Sequence, residues 1–408
     1  MILLAAVTVG ALAAGPGLAA SGTTGSAALG VYKAPAHPPA VDAFGAWLGR
    51  QPKYALDFLA FDDWTEISEP IWWLERWQGS PYTMVFSVGI VPDDGVATLA
   101  QGAAGQYDAY WSTLAQNLVS YGQGSAVVRL AWEFNGNWFP WSASLDPGSF
   151  VTYWRRIVDT MRSVAGADFR FDWSPVAGVS AIDPETVYPG DAYVDYIGMS
   201  VFDQSWYAGW QDPVQRWTHV KTFPFGLEWQ RGFAGEHGKL LSYPEWSLIE
   251  RPDGHGGGDD PYFIERMHKW LRENRDAIAY HIYFDPDPKS LTENYYPNSA
   301  VRFRELFVDD FPATGPVVKI VNPRRKRVTT DAFAVLIKAR VSSPNGVRRV
   351  AFRINGRKVC IDRSAPFTCR AQTRKLNPGR WNRLTAAAID GAGRKTIVGQ
   401  GLRLTRPD

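Results

Sequence analysis

Hydrophobic runs and amphipathic stretches alternate along the first three quarters of the chain. Some runs, such as 83–91 and 193–202, are apolar at nearly every position, which is typical of strands buried on both faces. Between the runs, apolar residues recur at helical spacing. The predicted strands are 29–32, 55–61, 83–91, 126–134, 169–175, 193–202, 239–246 and 278–284. The predicted helices are 40–48, 69–77, 107–121, 150–164, 213–233, 262–275 and 299–307.

Eight strands separated by crossover segments indicate a closed parallel barrel of the (β/α)8 or TIM type, an α/β fold, rather than an open sheet. We expect this barrel to occupy residues 28–311, a length that is normal for the fold. The fifth crossover, 177–192, is rich in Gly and Pro. We therefore expect little helix in it.

From residue 316 onward, short segments of alternating apolar and polar residues are separated by turns that contain Gly, Asn or Pro. This pattern predicts a small all-β immunoglobulin-like sandwich over 316–408. Its expected strands are 317–321, 332–341, 347–354, 384–390 and 397–404.

Charge is divided unevenly between these two parts. Residues 316–408 contain 22 Lys and Arg but 4 Asp and Glu, which leaves 21 of the 43 basic and 37 of the 41 acidic residues for the remainder. The basic residues alternate with apolar ones, so we expect them on solvent-facing surfaces. Such a surface is either simply solvated or binds an acidic cell-wall polymer or the acidic barrel. Nucleic acid is not an expected partner, since no recognised binding motif is present.

Residues 1–20 are small and apolar with a Gly-Pro-Gly break, which predicts a signal peptide, although no Lys or Arg precedes Lys33. A membrane anchor is the weaker alternative, because fewer than the roughly 20 apolar residues of a span are uninterrupted. We expect a secreted, extracellular protein without a membrane span, associated with the cell wall if the basic domain binds there. Cys360 and Cys369 flank a polar turn, so one disulfide closing a hairpin is expected, with two free thiols as the alternative.

Barrel enzymes carry their active sites at the C-terminal ends of the strands. The ionisable residues at the predicted strand ends are Asp62, Asp63, Glu133, Asp203, Glu245, Asp285 and Asp287. Two of them, Glu133 and Glu245, stand among aromatic residues. They end the fourth and seventh predicted strands, so we expect them to face each other across the mouth of the barrel.

Two opposed carboxylates are what cleavage of a glycosidic bond requires: one protonates the leaving oxygen, and the other attacks the anomeric carbon or activates water. The alternative is that each Glu pairs with a buried Arg or caps a helix. Arg129, lower on the strand of Glu133, is expected in a structural ion pair. No Ser/His/Asp constellation is present, and the six His residues lack metal-ligand spacing, so neither a metal nor a cofactor is expected. The glycines at 256–258 are interpreted as a flexible active-site loop.

Aromatic residues make up 14% of the chain, with 18 Trp. Rings near strand ends are candidate platforms for sugars, whose C–H faces are apolar. We expect about half of such rings to lie in the core. The predicted substrate-binding residues are Trp132, Asn135, Trp138, Trp141, Trp173, Asp203, Trp206, Trp246 and Tyr283.

The segment RLAWEFNGNWFPW, 129–141, resembles the fourth-strand motif of glycoside hydrolase family 26, which comprises β-mannanases and related β-glycanases. The segments PEW at 244–246 and DGHGGGDDP at 253–261 resemble the seventh-strand region of that family. The resemblance implies that Glu133 is the general acid/base and Glu245 the nucleophile of a retaining mechanism. One departure concerns the residue before the acid/base, which is usually His in the mannanases and is Trp132 in this chain.

These observations predict a secreted, monomeric, retaining endo-β-glycanase that acts on a β-linked polysaccharide. Mannan is the first choice of substrate, followed by β-glucan or xylan. A non-catalytic glycan-binding barrel at the cell surface is the alternative, although such a barrel would often have lost one of the two carboxylates.

Overall fold

The computed structural model describes residues 25–309, 316–323, 327–329, 334–343, 346–372, 381–391 and 395–405. These residues form two compact units, one that ends before residue 310 and one that starts at residue 316. The predicted signal peptide lies outside the described residues.

The first unit is a closed barrel of parallel strands surrounded by helices. Its strands are β1 (Ala28–Tyr32), β2 (Tyr54–Phe58), β3 (Thr83–Val88), β4 (Val127–Leu130), β5 (Arg170–Trp173), β6 (Tyr196–Ile197), β7 (Ser200–Phe202), β8 (Leu240–Ser247) and β9 (Ile278–Phe284). Strands β1 to β6 pair in chain order, β9 pairs with both β1 and β8, and β8 pairs with β6. Because β6 and β7 together fill one position, the barrel has eight strand positions, and the predicted (β/α)8 fold is confirmed.

The sixth barrel strand is broken, whereas the sequence predicted one strand over 193–202. The break falls at Gly198, where a Cβ atom would lie 2.1 Å from Oδ1 of Asp172. Only glycine lets the backbone pass so close to this buried carboxylate. After the break, Ser200 pairs with Glu245 in the register of β7 against β8.

The helices that cover the barrel are α1 (Pro38–Leu48), α2 (Trp64–Ser68), α3 (Ile71–Trp77), α4 (Leu99–Ala103), α5 (Asp108–Ser120), α6 (Pro147–Arg162), α7 (Pro213–Thr222), α8 (Leu227–Glu236), α9 (Pro261–Asn274) and α10 (Pro297–Phe307). The predicted helix 213–233 is wrong, because the chain turns sharply at Gly226 between α7 and α8. A Cβ atom there would lie 2.5 Å from the Val220 carbonyl oxygen. The fifth crossover contains only the 3-10 turn Pro184–Val187, as expected.

The barrel buries side chains on both faces of its strands, which explains the continuous apolar runs. On the outer face, Trp246 and Tyr283 pack against Phe303 of α10, with ring centroids 6.1 and 4.8 Å away. On the inner face, Tyr54 and Tyr280 stack at 4.8 Å. This packing fixes the strand ends, which carry the candidate site.

The second unit consists of two sheets. Its strands are β10 (Val317–Asn322), β11 (Arg327–Thr329), β12 (Ala334–Ser342), β13 (Val347–Ile354), β14 (Arg357–Asp362), β15 (Thr368–Gln372), β16 (Trp381–Asp390) and β17 (Lys395–Thr405). The three-stranded sheet has the order β10-β12-β15, and the five-stranded sheet has the order β11-β17-β16-β13-β14. This all-β arrangement confirms the predicted immunoglobulin-like class.

The disulfide Cys360–Cys369 is present, but it does not close a hairpin within one sheet. Cys360 lies on β14 of the five-stranded sheet and Cys369 on β15 of the three-stranded sheet. The bond therefore links the two sheets. The local pattern of two cysteines around a turn could not show that the turn crosses from one sheet to the other.

Among the described residues, no helix combines the length and hydrophobicity that would be needed to cross a membrane.

Candidate active site

Glu133 follows the fourth barrel strand in an irregular segment. The predicted strand extended to residue 134, but β4 ends at Leu130. The extended backbone cannot continue because Ala131 and Glu133 have left-handed φ values of 45° and 56°. Such φ values are uncommon outside glycine and tend to occur at functional sites. The Glu133 backbone N–H donates to the Ser174 carbonyl at 2.8 Å, which attaches this segment to the neighbouring strand end.

Glu245 lies within β8, the seventh strand position of the barrel, and is nearly buried. Its carboxylate accepts a hydrogen bond at 2.9 Å from Nη1 of Arg129, whose side chain is fully buried in the barrel. The same guanidinium donates to Oγ of Ser200 at 2.5 Å and to Oγ of Ser87 at 3.3 Å. The expected ion pair of Arg129 therefore exists, and its partner is the second candidate carboxylate.

Glu133 and Glu245 affect each other electrostatically. Burial, followed by the negative charge of Glu245, raises the pKa of Glu133 to about 7. Arg129 and hydrogen bonds from Ser200 and Trp138 lower this pKa, but they do not outweigh the two raising effects. A carboxyl group with this pKa is largely protonated in mildly acidic solution, while the carboxylate opposite it is paired with an arginine.

Two other buried aspartates lie on barrel strands, Asp57 on β2 and Asp172 on β5, and neither forms an ion pair with Arg129. Oδ2 of Asp57 instead accepts from Nε1 of Trp77 at 2.6 Å. Asp172 accepts from Oγ of Ser242 at 2.5 Å and from the Tyr280 hydroxyl. Burial raises the pKa of each aspartate to about 6.

The structure adds site residues that the sequence analysis missed. Ser87 and Ser200 hold the Arg129 guanidinium. Burial raises the pKa of Tyr32 to about 12, and the charges of Asp57 and Glu245 add to this effect, so the Tyr32 hydroxyl lies near Glu245. A signal for the serines was present, because each is a polar residue inside an otherwise apolar strand. Tyr32 gave no such signal.

The other carboxylates at the strand ends are engaged elsewhere or exposed. Asp63 caps α2 through the backbone N–H of Glu66 at 2.9 Å. Lys33 pairs with Asp285 at 3.0 Å and with Asp287 at 2.8 Å. Asp62 is exposed.

Asp203 was predicted to bind substrate, and the structure places it in a buried ion pair. It is 1% exposed and receives two hydrogen bonds from Arg216, at 2.5 and 3.1 Å. Arg216 also pairs with Asp260, which caps α9. Asp203 is therefore part of a buried clasp between a strand end and two helices.

Two of the predicted sugar-binding rings are well exposed at the mouth. Trp138 is 53% exposed, lies over Gly136, and donates from Nε1 to Oε2 of Glu133 at 3.1 Å. Trp206 is 57% exposed at the rim of a pocket of about 220 Å³. This pocket is lined in part by Ser200 and Phe202. Because Ser200 accepts a hydrogen bond from Arg129, the pocket begins beside the Arg129–Glu245 ion pair.

Four predicted binding rings belong to the core instead. These rings are at most 1% exposed: Trp141, Trp173, Trp246 and Tyr283. Trp246 and Tyr283 face the outer helices, as described above, and Trp173 packs against Phe134 at 4.9 Å. They are positioned to support the strand ends, and sugar cannot reach them in this structure.

Asn135 was also predicted to bind substrate, but both ends of its amide are used internally. Its Nδ2 donates to the Val176 carbonyl at 3.0 Å, and its Oδ1 accepts from the Val176 N–H at 2.8 Å. Asn135 is fully buried. It joins the segment that carries Glu133 to the loop after β5, which is a positioning role.

Trp132, which stands where the resemblance expects His, is 5% exposed. Its ring packs edge-on against Phe58, Phe61 and Phe139 and is tilted against Trp141. The Trp132 ring is therefore almost wholly covered by other aromatic rings.

The glycines at 256–258 do not form a loose loop. The Gly257 N–H donates to the Asp203 carbonyl at 2.8 Å, and the Gly258 N–H donates to the Ile249 carbonyl at 3.0 Å. A Cβ atom on Gly257 would lie 1.8 Å from Oδ2 of Asp203. Glycine is needed because the backbone passes directly over the Asp203–Arg216 clasp.

Within the part of the chain that the structure describes, no three His, Cys, Asp or Glu side chains are grouped so that they could hold a metal ion.

A (β/α)8 barrel with a mutually interacting pair of glutamates on its fourth and seventh strand positions is the framework of a barrel glycoside hydrolase. Residues 83–223 match the family model of glycosyl hydrolase family 26. Residues 316–386 match the model of the bacterial Ig domain.

Two curated relatives are similar to parts of the chain. Endoglucanase H of Acetivibrio thermocellus is 26% identical over 194 residues, which are 41% of this chain and 21% of that protein. A mannan endo-1,4-beta-mannosidase of Bifidobacterium adolescentis is 28% identical over 162 residues, which are 38% of this chain and 16% of that protein. The matches thus span about a fifth or less of these longer relatives.

Among solved structures, a modular endo-beta-1,4-mannanase from Cellulomonas fimi is similar over 93% of this chain and 94% of its own, with 17% identity and a TM-score of 0.49. A likeness at this level does not bear on function.

Proposed function

We propose that this protein is a retaining endo-β-glycanase in which Glu133 is the general acid/base and Glu245 the nucleophile. The observation that carries the proposal is the asymmetry of the pair. Glu245 is paired with Arg129 at 2.9 Å, whereas the pKa of Glu133 is raised to about 7 by burial and by Glu245. One carboxylate and one carboxylic acid on opposite sides of a mouth are the two forms that glycosidic cleavage requires.

In the first step, the Glu245 carboxylate attacks the anomeric carbon while Glu133 transfers its proton to the leaving oxygen. Ser200 and Ser87 hold the Arg129 guanidinium, and Arg129 in turn holds Oε2 of Glu245. The other oxygen, which attacks, is thereby oriented before substrate binds. Such fixation removes part of the entropic barrier to reaction.

In the second step, Glu133 removes a proton from the water that attacks the glycosyl ester of Glu245. The negative charge on Glu245 is absent in the ester, so one of the effects that raises the pKa of Glu133 disappears. Glu133 therefore carries a proton before the ester forms and is more readily ionised once the ester has formed, as its roles of acid and then base require. The released sugar keeps the configuration of the bond that was cut.

The substrate class rests on the exposed rings and on the relatives. Trp138 lies beside Glu133, and Trp206 lies at the rim of the neighbouring pocket, so sugar units could stack on both sides of the cleavage point. The relatives are named for mannan and for endoglucanase activity. We therefore rank mannan first and β-glucan second, with xylan as the third candidate.

An extracellular location fits the chemistry of the second unit, because the Cys360–Cys369 disulfide is of a kind that persists in oxidising compartments. The predicted leader at residues 1–20 agrees with this proposal.

The test is a screen of mannan, mixed-linkage β-glucan and xylan with wild type, Glu133→Ala and Glu245→Ala. Glu250→Gln is the matched control, because Glu250 is an exposed glutamate five residues beyond the proposed nucleophile. We expect wild type and Glu250→Gln to cut the same glycan and both alanine variants to lose at least about a thousandfold in kcat/KM. Binding of a glycan without cleavage by wild type would instead support a non-catalytic glycan-binding barrel.

The two roles are separated with an aryl glycoside whose phenol leaving group needs no proton. Glu133→Ala should still release this phenol in a rapid first turnover, and added azide should then speed turnover and give an azide product of retained configuration. Glu245→Ala should show no rapid first turnover, and an azide product that it forms by direct displacement should have inverted configuration. Proton NMR of the first product of wild type reports the stereochemistry, and an inverted product would contradict the double-displacement mechanism.

A further inference from the structure

The outer face of the three-stranded sheet β10-β12-β15 carries a cluster of exposed cations. Lys338 and Arg340 occupy alternate positions on β12. Lys319, on the neighbouring strand β10, lies directly opposite Arg340. Arg370 of β15 lies opposite Leu336 of β12. Alternate residues on a strand share a face about 7 Å apart, so these four cations form a row on one surface, which we call the basic face.

The positive charge of the basic face is not offset by ion pairs within the described part of the chain. None of these four cations forms an ion pair with any of the described residues. Two of the four acidic residues of this part of the chain are described, and both serve the fold. Asp390 is fully buried and accepts from Ser343, while Asp362 accepts from the backbone N–H of Thr368 at 2.8 Å.

The basic face is also concave. A groove of about 850 Å³ runs over it, and Lys319, Lys338 and Arg340 line this groove together with Asn322 and Gln400. The rest of the lining is apolar and includes Leu336, Val341 and Pro366. A groove that combines cations, amide side chains and apolar contacts suits a chain molecule that carries anionic groups, hydroxyls and apolar C–H faces.

We propose that the basic face is a binding site for a linear anionic polysaccharide of the polyuronate type. Charge complementarity selects a polyanion, and the lining selects between classes of polyanion. Nucleic-acid single strands are held by stacking of bases on exposed aromatic rings. The described residues that line the groove include no exposed aromatic ring. Asn322 and Gln400 each donate from the amide nitrogen to a backbone carbonyl, which orients the amide oxygen as the acceptor for sugar hydroxyls. This inference does not depend on the proposed hydrolase activity.

The test uses the full chain and polygalacturonate, with affinity electrophoresis or calorimetry at low salt. The groove variant is Lys319→Gln, Lys338→Gln and Arg340→Gln together. The matched control removes the same charge from exposed positions of the five-stranded sheet, as Arg353→Gln, Arg383→Gln and Lys395→Gln. Methyl-esterified polygalacturonate and single-stranded DNA are the comparison ligands, and thermal melts check that both variants fold.

We expect the groove variant to bind polygalacturonate about tenfold or more weakly than wild type, and the control to change by less than about threefold. Binding should weaken with added salt and should be absent with the methyl ester. Equal losses in the two variants, a larger loss in the control, tighter binding of DNA than of polygalacturonate, or no binding by wild type would each overturn the proposal.

Discussion

Two buried arginines at the top of the barrel pair with carboxylates, and they differ in what they leave exposed. Arg216 donates to both oxygens of Asp203 and also pairs with Asp260, so it binds three structural elements together. Arg129 donates one hydrogen bond to a single oxygen of Glu245. It also donates to the hydroxyls of Ser200 and Ser87.

The difference agrees with a structural role for the Asp203–Arg216 pair and with the proposed catalytic role of Glu245. Asp203 is 1% exposed, and its oxygens are occupied by the guanidinium. Glu245 is 7% exposed, interacts with Glu133, and has one carboxylate oxygen that Arg129 does not bind. A buried ion pair is by itself weak evidence for either role, so the direction in which the carboxylate faces decides.

The largest expected effect is on stability, from Arg216→Met. Removal of this cation leaves Asp203 and Asp260 buried without their partner, which should lower the free energy of unfolding by about 3–5 kcal/mol. Denaturant unfolding at pH 7 measures this loss. The folded fraction, assayed well below its melting temperature, should keep kcat within about threefold of wild type.

A double variant, Arg216→Met with Asp203→Asn, is the matched control and should recover part of the lost stability, because one uncompensated charge is removed. A loss of activity in the stable folded fraction of Arg216→Met would contradict the structural role of this clasp.

Of the two arginine substitutions, Arg129→Lys should have the larger effect on catalysis. Lysine keeps the charge but cannot donate to Glu245, Ser200 and Ser87 from one rigid group. We expect kcat to fall at least about a hundredfold, because small displacements of a reacting group are costly, while KM changes little. Steady-state kinetics on the identified glycan measure this split.

Ser87→Ala serves as the graded comparison for Arg129→Lys, since it removes only the longest of the three contacts, at 3.3 Å. Its loss in kcat should be much smaller than that of Arg129→Lys. If KM of Arg129→Lys rises by the same factor by which kcat falls, the whole site is disrupted and the effect is not specific to the position of Glu245.

Glu133→Gln should stabilise the protein at neutral and alkaline pH. The pKa of Glu133 is about 7 in the folded chain against an ordinary value of 4.5, so the folded state binds the extra proton between these values. Stability that depends on this proton is present at low pH and is lost as the pH rises through 7. Glutamine does not titrate, so at pH 8 the variant should be about 1–3 kcal/mol more stable than wild type.

The same comparison at pH 4 should show little gain, because Glu133 is then protonated in both the folded and the unfolded chain. Glu250→Gln removes an exposed glutamate and should not stabilise at either pH. A gain that is equal at pH 4 and pH 8 would show that burial of the Glu133 charge is not its cause. Melting temperatures in matched buffers are sufficient for this measurement.

The sequence predicted the barrel because its strands are buried on both faces and leave an unambiguous apolar pattern. It misplaced the end of the fourth strand because Ala131 and Glu133 adopt left-handed backbone without glycine, and nothing in their side chains marks this. The break of the sixth strand did carry a marker, Gly198, but its cause is the distant carboxylate of Asp172.

Side-chain direction limited the prediction of the site. Trp138 and Trp141 lie three residues apart in one motif, yet the first is 53% exposed and the second is fully buried. Trp141 is accommodated because Gly89, directly after β3, leaves room for its ring. Likewise, Arg129 was recognised as needing a partner, but only the folded barrel brings Glu245 across to it.

Trp138→Phe should give the smallest effect and the most specific one. The indole N–H donates to Oε2 of Glu133 at 3.1 Å and lowers its pKa, whereas phenylalanine retains an apolar ring over Gly136 without a donor. The alkaline limb of kcat/KM, which we expect near pH 7 in wild type from loss of the Glu133 proton, should therefore move to higher pH by about half a unit. Trp138→Ala should move the limb similarly but also raise KM, because the ring is lost. If the limb stays in place or moves to lower pH in Trp138→Phe, the indole N–H does not act on Glu133 as the contact in the structure implies.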